Sequence, residues 1–197
     1  MRGLYLVATV GLVSNAYADF IDFEQDAVGF RGNGWSSVDS ARVVFSNSLL
    51  GQSSLELHVF DFGVQSDGRA LSANDSGLSG ILMDFTEPMR SLSLAFGNDD
   101  PGANQRRAVL ELYSGVALVK SVFVGTNNDD LMNQTISANR GAGFDSALFY
   151  YADNTGSLIG NAEEIIDNVS FQEVPTPGAV SLAALTGAVV LQRRRRP

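Results

Sequence analysis

Short runs of alternating apolar and polar residues, cut at close intervals by turn signals, constrain this chain most. In residues 91–96, Leu92, Leu94 and Phe96 face one way while Ser91, Ser93 and Ala95 face the other. That period of two is the pattern of a strand with one buried face. Comparable runs occupy 20–24, 42–45, 54–60, 80–85, 108–113, 118–124, 147–152 and 164–171. Between them stand Gly32-Asn33-Gly34, Asp67-Gly68, Asp75-Ser76-Gly77, Pro101-Gly102, Gly141-Ala142-Gly143 and Asn154-Thr155-Gly156. Glycine, asparagine and aspartate accept the backbone angles of tight turns at little cost. No stretch of the body sustains a helical period, and none repeats at a fixed interval. About nine short strands punctuated in this way predict an all-β fold, an antiparallel β-sandwich of jelly-roll type.

The two ends read differently. Arg2 followed by the apolar run 4–13 and by Ala16-Tyr17-Ala18 has the layout of a secretory signal peptide, with cleavage expected before Asp19. The run is too short to cross about 30 Å of hydrocarbon, and polar Ser14-Asn15 follows at once. At the other end, Val174-Pro175-Thr176-Pro177-Gly178 leads into the uncharged segment 179–191 and then to Arg193, Arg194, Arg195 and Arg196. As a short hydrophobic helix this segment would span about 20 Å, at 1.5 Å per residue, less than the bilayer core. Pro175 and Pro177 stop it from extending upstream. Such a segment enters the inner membrane transiently, held by the arginines on the cytoplasmic side. The chain therefore divides into a signal peptide (1–18), a β-sandwich body (19–173) and a C-terminal sorting segment (174–197).

The C-terminal arrangement of Pro175, Pro177, Gly178, small and apolar residues and a terminal arginine run resembles the PEP-CTERM sorting signal of bacterial exported proteins, in its planctomycete-like form. The resemblance covers 174–197 only, and Thr176 stands where the family carries glutamate. It implies processing by the membrane enzyme exosortase after signal peptidase has acted. It also implies release or attachment at the cell envelope, in a setting often rich in extracellular polysaccharide. More loosely, the strand layout is similar to lectin-like and galactose-binding-like sandwiches.

Charge and composition narrow the function. Five of the 13 Lys+Arg lie in the terminal segments, so the body sets 22 acidic residues against eight basic ones, a net of −14. A surface this acidic repels phosphate backbones, so no nucleic-acid partner is expected. The chain has no cysteine, so no disulfide staples a domain bound for an oxidising compartment.

Two sets of residues are candidates for binding. In 164–171, simple alternation puts Asp167 on a face with Ile165, Val169 and Phe171, where an unpaired carboxylate is costly. It needs a cation, an arginine or backbone N–H groups. Were the first and last strands adjacent, Asp22 or Glu24 would meet Asp167, and Glu24 with Asp167 forms a candidate Ca²⁺ site. The second set is aromatic. Trp35, in a Gly-rich loop, is a candidate platform for a sugar ring, with Tyr113, Tyr150 and Tyr151 near strand ends. His58, the only histidine, falls on the polar face of its run and is expected to be exposed. No Gly-x-Ser-x-Gly elbow, zinc-binding pattern or P-loop occurs, so no catalytic residue is assigned. The abundant carboxylates leave a glycan hydrolase as the one enzyme class open. The expected role is that of an exported structural or adhesive protein of the cell surface or extracellular matrix. The alternative is a calcium-stabilised carbohydrate-binding module.

Overall fold

The structure, a computed structural model, describes residues 18–48, 57–63, 65–66, 68–73, 79–97, 106–127, 129, 131–159 and 162–175. The leader up to Tyr17 and the tail from Thr176, with its expected helix and its arginines, lie outside the described residues.

Among the described residues ten strands run in chain order: β1 (Ala18–Ile21), β2 (Gly29–Arg31), β3 (Val43–Asn47), β4 (Leu57–Gly63), β5 (Gly68–Ala73), β6 (Ile81–Gly97), β7 (Arg106–Ser114), β8 (Ala117–Gly125), β9 (Gln134–Asp153) and β10 (Glu164–Glu173). All pair antiparallel, and the fold is the expected jelly-roll-type sandwich. Two long strands belong to both layers. The first half of β6 pairs with β3 and with the second half of β9, which also carries β7; β8 follows on β7. The second half of β6 pairs with β10 and with the first half of β9, and β10 continues to β5, β4 and β2. The changeover falls where the β6–β9 register slips, between Asp84 and Ser91. Pro88, which has no N–H to give the ladder, lies on one strand there, and Gly141 and Gly143 on the other. Gly143 has φ +84°, a conformation that L side chains rarely adopt. Strands that switch sheets at bulges turn the corners of a sandwich.

Alternation fills the space between the layers. Leu92, Leu94 and Phe96 of β6, Leu110 and Leu112 of β7, Ala147, Phe149 and Tyr151 of β9, and Ile166, Val169 and Phe171 of β10 all join one buried cluster. Phe85, Phe144 and Phe171 meet at one end with ring centroids 5.2–5.7 Å apart. Phe96, Phe149 and Tyr151 meet at the other, 5.5–5.9 Å apart. Each fully buried side chain of this size stabilises the fold by roughly 1.5–3 kcal/mol.

One local feature corrects the simple alternation in β10. Ile166 pairs with Phe96 and Asp167 with Ala95, but Ser170 then pairs with Ser93, so one extra residue enters β10. Asn168 takes it up with φ 49°, a conformation that asparagine tolerates better than most residues. The core face is therefore Ile166, Val169 and Phe171, while Asp167 shares the opposite face with Ala95. At the same point β10 exchanges its neighbour on one edge, from β5 to β1.

Candidate functional site

The terminal strands do run side by side, with Ile21 opposite Val169. Asp22 and Glu24, however, follow β1 in a turn: Asp22 Oδ1 accepts the Glu24 N–H at 3.0 Å, and Phe23 between them has φ 59°. Glu24 Oε1 accepts the Arg69 N–H at 2.6 Å. The Arg69 guanidinium donates to the carbonyls of Glu24 and Asp26 at 2.7 Å each, so an arginine takes up oxygens that a calcium ion would use. Asp167 is buried and accepts from the backbone N–H (2.7 Å) and the amide (3.1 Å) of Asn168. Among the described residues no group of three or more His, Cys, Asp or Glu side chains is placed to hold a metal ion.

The aromatic candidates separate. Trp35 is half-buried against the core, its ring centroid 6.4 Å from that of Phe23 and 6.0 Å from that of Phe45. The Arg31 guanidinium lies 5.4 Å from its ring centroid. Tyr151 is buried, its hydroxyl donating to the Gly97 carbonyl. His58 is buried rather than exposed: it stacks on Phe30 at 4.4 Å and lies 3.4 Å from Phe60. Burial, then the charge of Arg31, lowers its pKa.

Tyr113 and Tyr150 come together. On β7, Leu110 and Leu112 point into the core, which leaves Arg107, Val109, Glu111 and Tyr113 on the outer face. Register places Val109 opposite Tyr150 and Glu111 opposite Leu148 of β9. The Tyr113 hydroxyl donates to Glu111 Oε2, and the Tyr150 hydroxyl to Glu111 Oε1 at 3.1 Å. These three residues, with Leu148, Leu158, Ser48, Ser79 and Gly80, line a cleft of about 280 Å³. That is near the lower end of the roughly 300–1,000 Å³ of small-molecule sites. Leu158 is brought in by a turn after β9, in which Asp153 Oδ1 accepts the N–H groups of Thr155 and Ser157 at 2.8 and 2.9 Å. The Gly80 floor has little space: a Cβ there would stand 3.1 Å from Leu148 Cδ1 and 3.2 Å from the Phe149 carbonyl oxygen.

The electrostatics keep both tyrosines protonated. Burial, followed by the charge of Glu111 and its hydrogen bond, pushes Tyr150 up to about 12. Burial and then the hydrogen bond to Glu111 raise Tyr113 further. The cleft thus offers two fixed phenol rings, their oxygens as acceptors, and a carboxylate whose remaining lone pairs accept further hydrogen bonds.

Behind the cleft wall lies a second carboxyl, that of Glu164, which is fully buried. Ser79 hydrogen-bonds Glu164 Oε2, and Oε1 accepts the Tyr151 N–H at 3.4 Å. Burial pushes Glu164 up to about 8. At neutral pH it is a neutral acid able to donate to Ser79, which in turn donates to the Ala162 carbonyl at 3.4 Å.

Glu111 was legible from sequence only as a neighbour of Tyr113 at the strand spacing of two. Tyr150 joins them through the β7–β9 register, which alternation alone does not give.

No protein-family model matches the chain, and no characterised protein matches it in sequence. Among solved structures it is similar to the arabinose-bound α-L-arabinofuranosidase MgGH51, with TM-score 0.51 and 13% identity. The match covers 80% of this chain and 27% of the enzyme, so the chain spans about a quarter of that protein's length. It is also similar to the K2 cleaved adhesin domain of Lys-gingipain, with TM-score 0.49 and 10% identity over 79% of this chain and 99% of that one. A third match is TmCBM61 in complex with β-1,4-galactotriose, with TM-score 0.40 and 9% identity over 66% and 88% of the two chains. At these identities the likeness to the arabinofuranosidase speaks for the sandwich architecture alone.

Proposed function

We propose that the protein is an exported surface or matrix β-sandwich that binds polysaccharide through the Glu111–Tyr113–Tyr150 cleft. The observation that carries this reading is the pairing of two immobilised phenol rings with one carboxylate in an open cleft. Sugars present apolar C–H faces and closely spaced hydroxyls. Aromatic rings meet the first, and a carboxylate accepts two hydroxyl donors at once. A role as adhesive scaffold follows from the same binding, with no chemistry required of the cleft.

Export rests on the terminal segments. Residues 1–18 are removed by signal peptidase, and the segment from Val174 is handled by an exosortase-like enzyme that reads Pro175, Pro177, Gly178 and Arg193 to Arg196. Mass spectrometry of the mature protein reads both cleavage sites. Recovery of the intact chain from the cytosol would contradict the sorting half of the proposal.

The binding half is tested on a glycan array with the wild type, Tyr150→Ala and Glu111→Gln. A charge-assisted hydrogen bond contributes about 1.5–3 kcal/mol. Glu111→Gln is therefore expected to weaken binding about 10- to 100-fold. Tyr150→Ala removes a stacking surface and is expected to lose about tenfold. A wild type that binds no glycan, or variants that bind equally well, would rule the cleft out.

A further inference from the structure

The outer face that carries the cleft continues along β7 to Arg107. Among the described residues, the other arginines are engaged. Arg31 donates to the carbonyls of Phe30 and Ala27, Arg42 pairs with Asp19 and Glu173, and Arg69 clamps the 24–26 turn. Arg90 donates to Gln172, Arg140 to the Gly143 carbonyl, and Arg106 is partnered as well. Arg107 is the exception: among the described residues its guanidinium has neither a carboxylate nor a hydrogen-bond acceptor. It is held instead 4.8 Å from the ring centroid of Phe123 on β8. Phe123 is 65% exposed even so, which puts a flat apolar surface and a cation side by side in solvent. Val109, opposite both Phe123 and Tyr150 in register, is buried between this pair and the cleft.

The face around Arg107 is less acidic than the molecule as a whole. On the outer side β7 and β8 carry Arg107 against Glu111, a balance of zero in a body of −14, while Arg106 and Lys120, the latter opposite Leu112 and donating to the Asn139 carbonyl, belong to the other face. Strand β8 has no acidic residue. Arg107 lies four residues from Glu111 on one face, about 13 Å at the rise of an extended strand. That exceeds the Debye length of about 8 Å at physiological ionic strength. An anion at Arg107 is therefore largely screened from the Glu111 carboxylate and sits one or more sugar units away from it.

We propose that Arg107 and Phe123 form a subsite for a carboxylate-bearing sugar, so that the cleft's ligand is an acidic polysaccharide of uronate type. This rests on reading the cleft as a glycan site. The guanidinium fork meets a planar carboxylate with two parallel hydrogen bonds, and the surface of Phe123 that the guanidinium leaves exposed meets the apolar side of the bound sugar. Stacking on Phe123 holds the guanidinium in place before the ligand arrives.

The test is calorimetric titration of the full protein at physiological salt with polygalacturonate oligomers, the same oligomers after carboxyl reduction, and poly-glutamate. The wild type is expected to bind the acidic oligomers about tenfold more tightly than the reduced ones. Arg107→Gln is expected to erase that preference by lowering the affinity for the acidic oligomers about tenfold, to the level of the reduced ones, while Arg107→Lys keeps part of it. Equal wild-type affinity for acidic and reduced oligomers would overturn the subsite and leave the cleft reading standing. Binding of neither would sink both. Poly-glutamate bound as tightly, through Arg107, would mark a general carboxylate site and overturn the assignment to a sugar.

Discussion

Glu164 gives the sharpest stability prediction. Its carboxyl is fully buried, and burial raises its pKa from an ordinary 4.5 to about 8. Between those values the unfolded chain has released the proton that the folded chain still holds, so stability falls as pH rises through the window. Each unit of separation is worth 1.36 kcal/mol. From pH 4.5 to pH 7 the loss is about 3 kcal/mol, and it levels off near 5 kcal/mol above pH 8, both as order-of-magnitude figures. Glu164→Gln keeps the shape and has no proton to lose. Its amide is able to donate to Ser79 Oγ while its carbonyl accepts the Tyr151 N–H, the two roles open to a protonated carboxyl in the same place. The variant should match the wild type at pH 4 and exceed it by about 3 kcal/mol at pH 7. In a chain of this length that is a rise of about 6–12 °C in melting temperature. Urea denaturation of both proteins from pH 4 to pH 9 measures the difference directly. A gap between the two curves that does not change with pH would refute the neutral buried acid.

Two further substitutions probe the frame that holds the site. Phe149→Ala removes a fully buried ring that touches Phe96 and Tyr151 and should cost about 3–5 kcal/mol in urea; a cost below about 1 kcal/mol would mean that the two layers do not close on it. Asn168→Val forces a β-branched residue into φ 49° at the β10 bulge. It should cost about 1–2 kcal/mol by the same measurement, whereas Asn168→Gly should be tolerated, and equal stability of the two variants would argue against the bulge.

The body was legible where alternation was clean. Leu92, Leu94 and Phe96 gave the inner face of β6, and the runs at 42–45, 108–113 and 118–124 became β3, β7 and β8 with ends shifted by a few residues. Two strands escaped. β2 has only three residues, and β5, in Gly68–Ala73, is buried from Ala70 onward and shows little alternation. The runs at 80–85 and 91–96 are one strand, because Pro88 marks a corner between sheets rather than a chain reversal. β9 starts at Gln134, far ahead of the expected 147, because its first half is a polar edge with Ser137, Asn139 and Arg140 among few apolar residues. At Asp167 the alternation failed for a physical reason: one inserted residue reverses every facing beyond it. His58 looked polar in its own strand, yet Phe30, from a strand too short to recognise, covers it. The cleft suffered most, since Glu111 of β7 meets Tyr150 and Leu158 only through the β7–β9 register and the turn that follows β9.

The most direct test of the glycan cleft is the map of backbone amide chemical shifts on titration of the isotopically labelled protein with a glycan selected from the array. The account predicts saturable shifts at Gly80, Glu111, Tyr113, Leu148 and Tyr150, with Trp35 and its neighbours Phe23 and Phe45 unmoved. Shifts gathered around Trp35 instead, with the β7–β9 face silent, would contradict it.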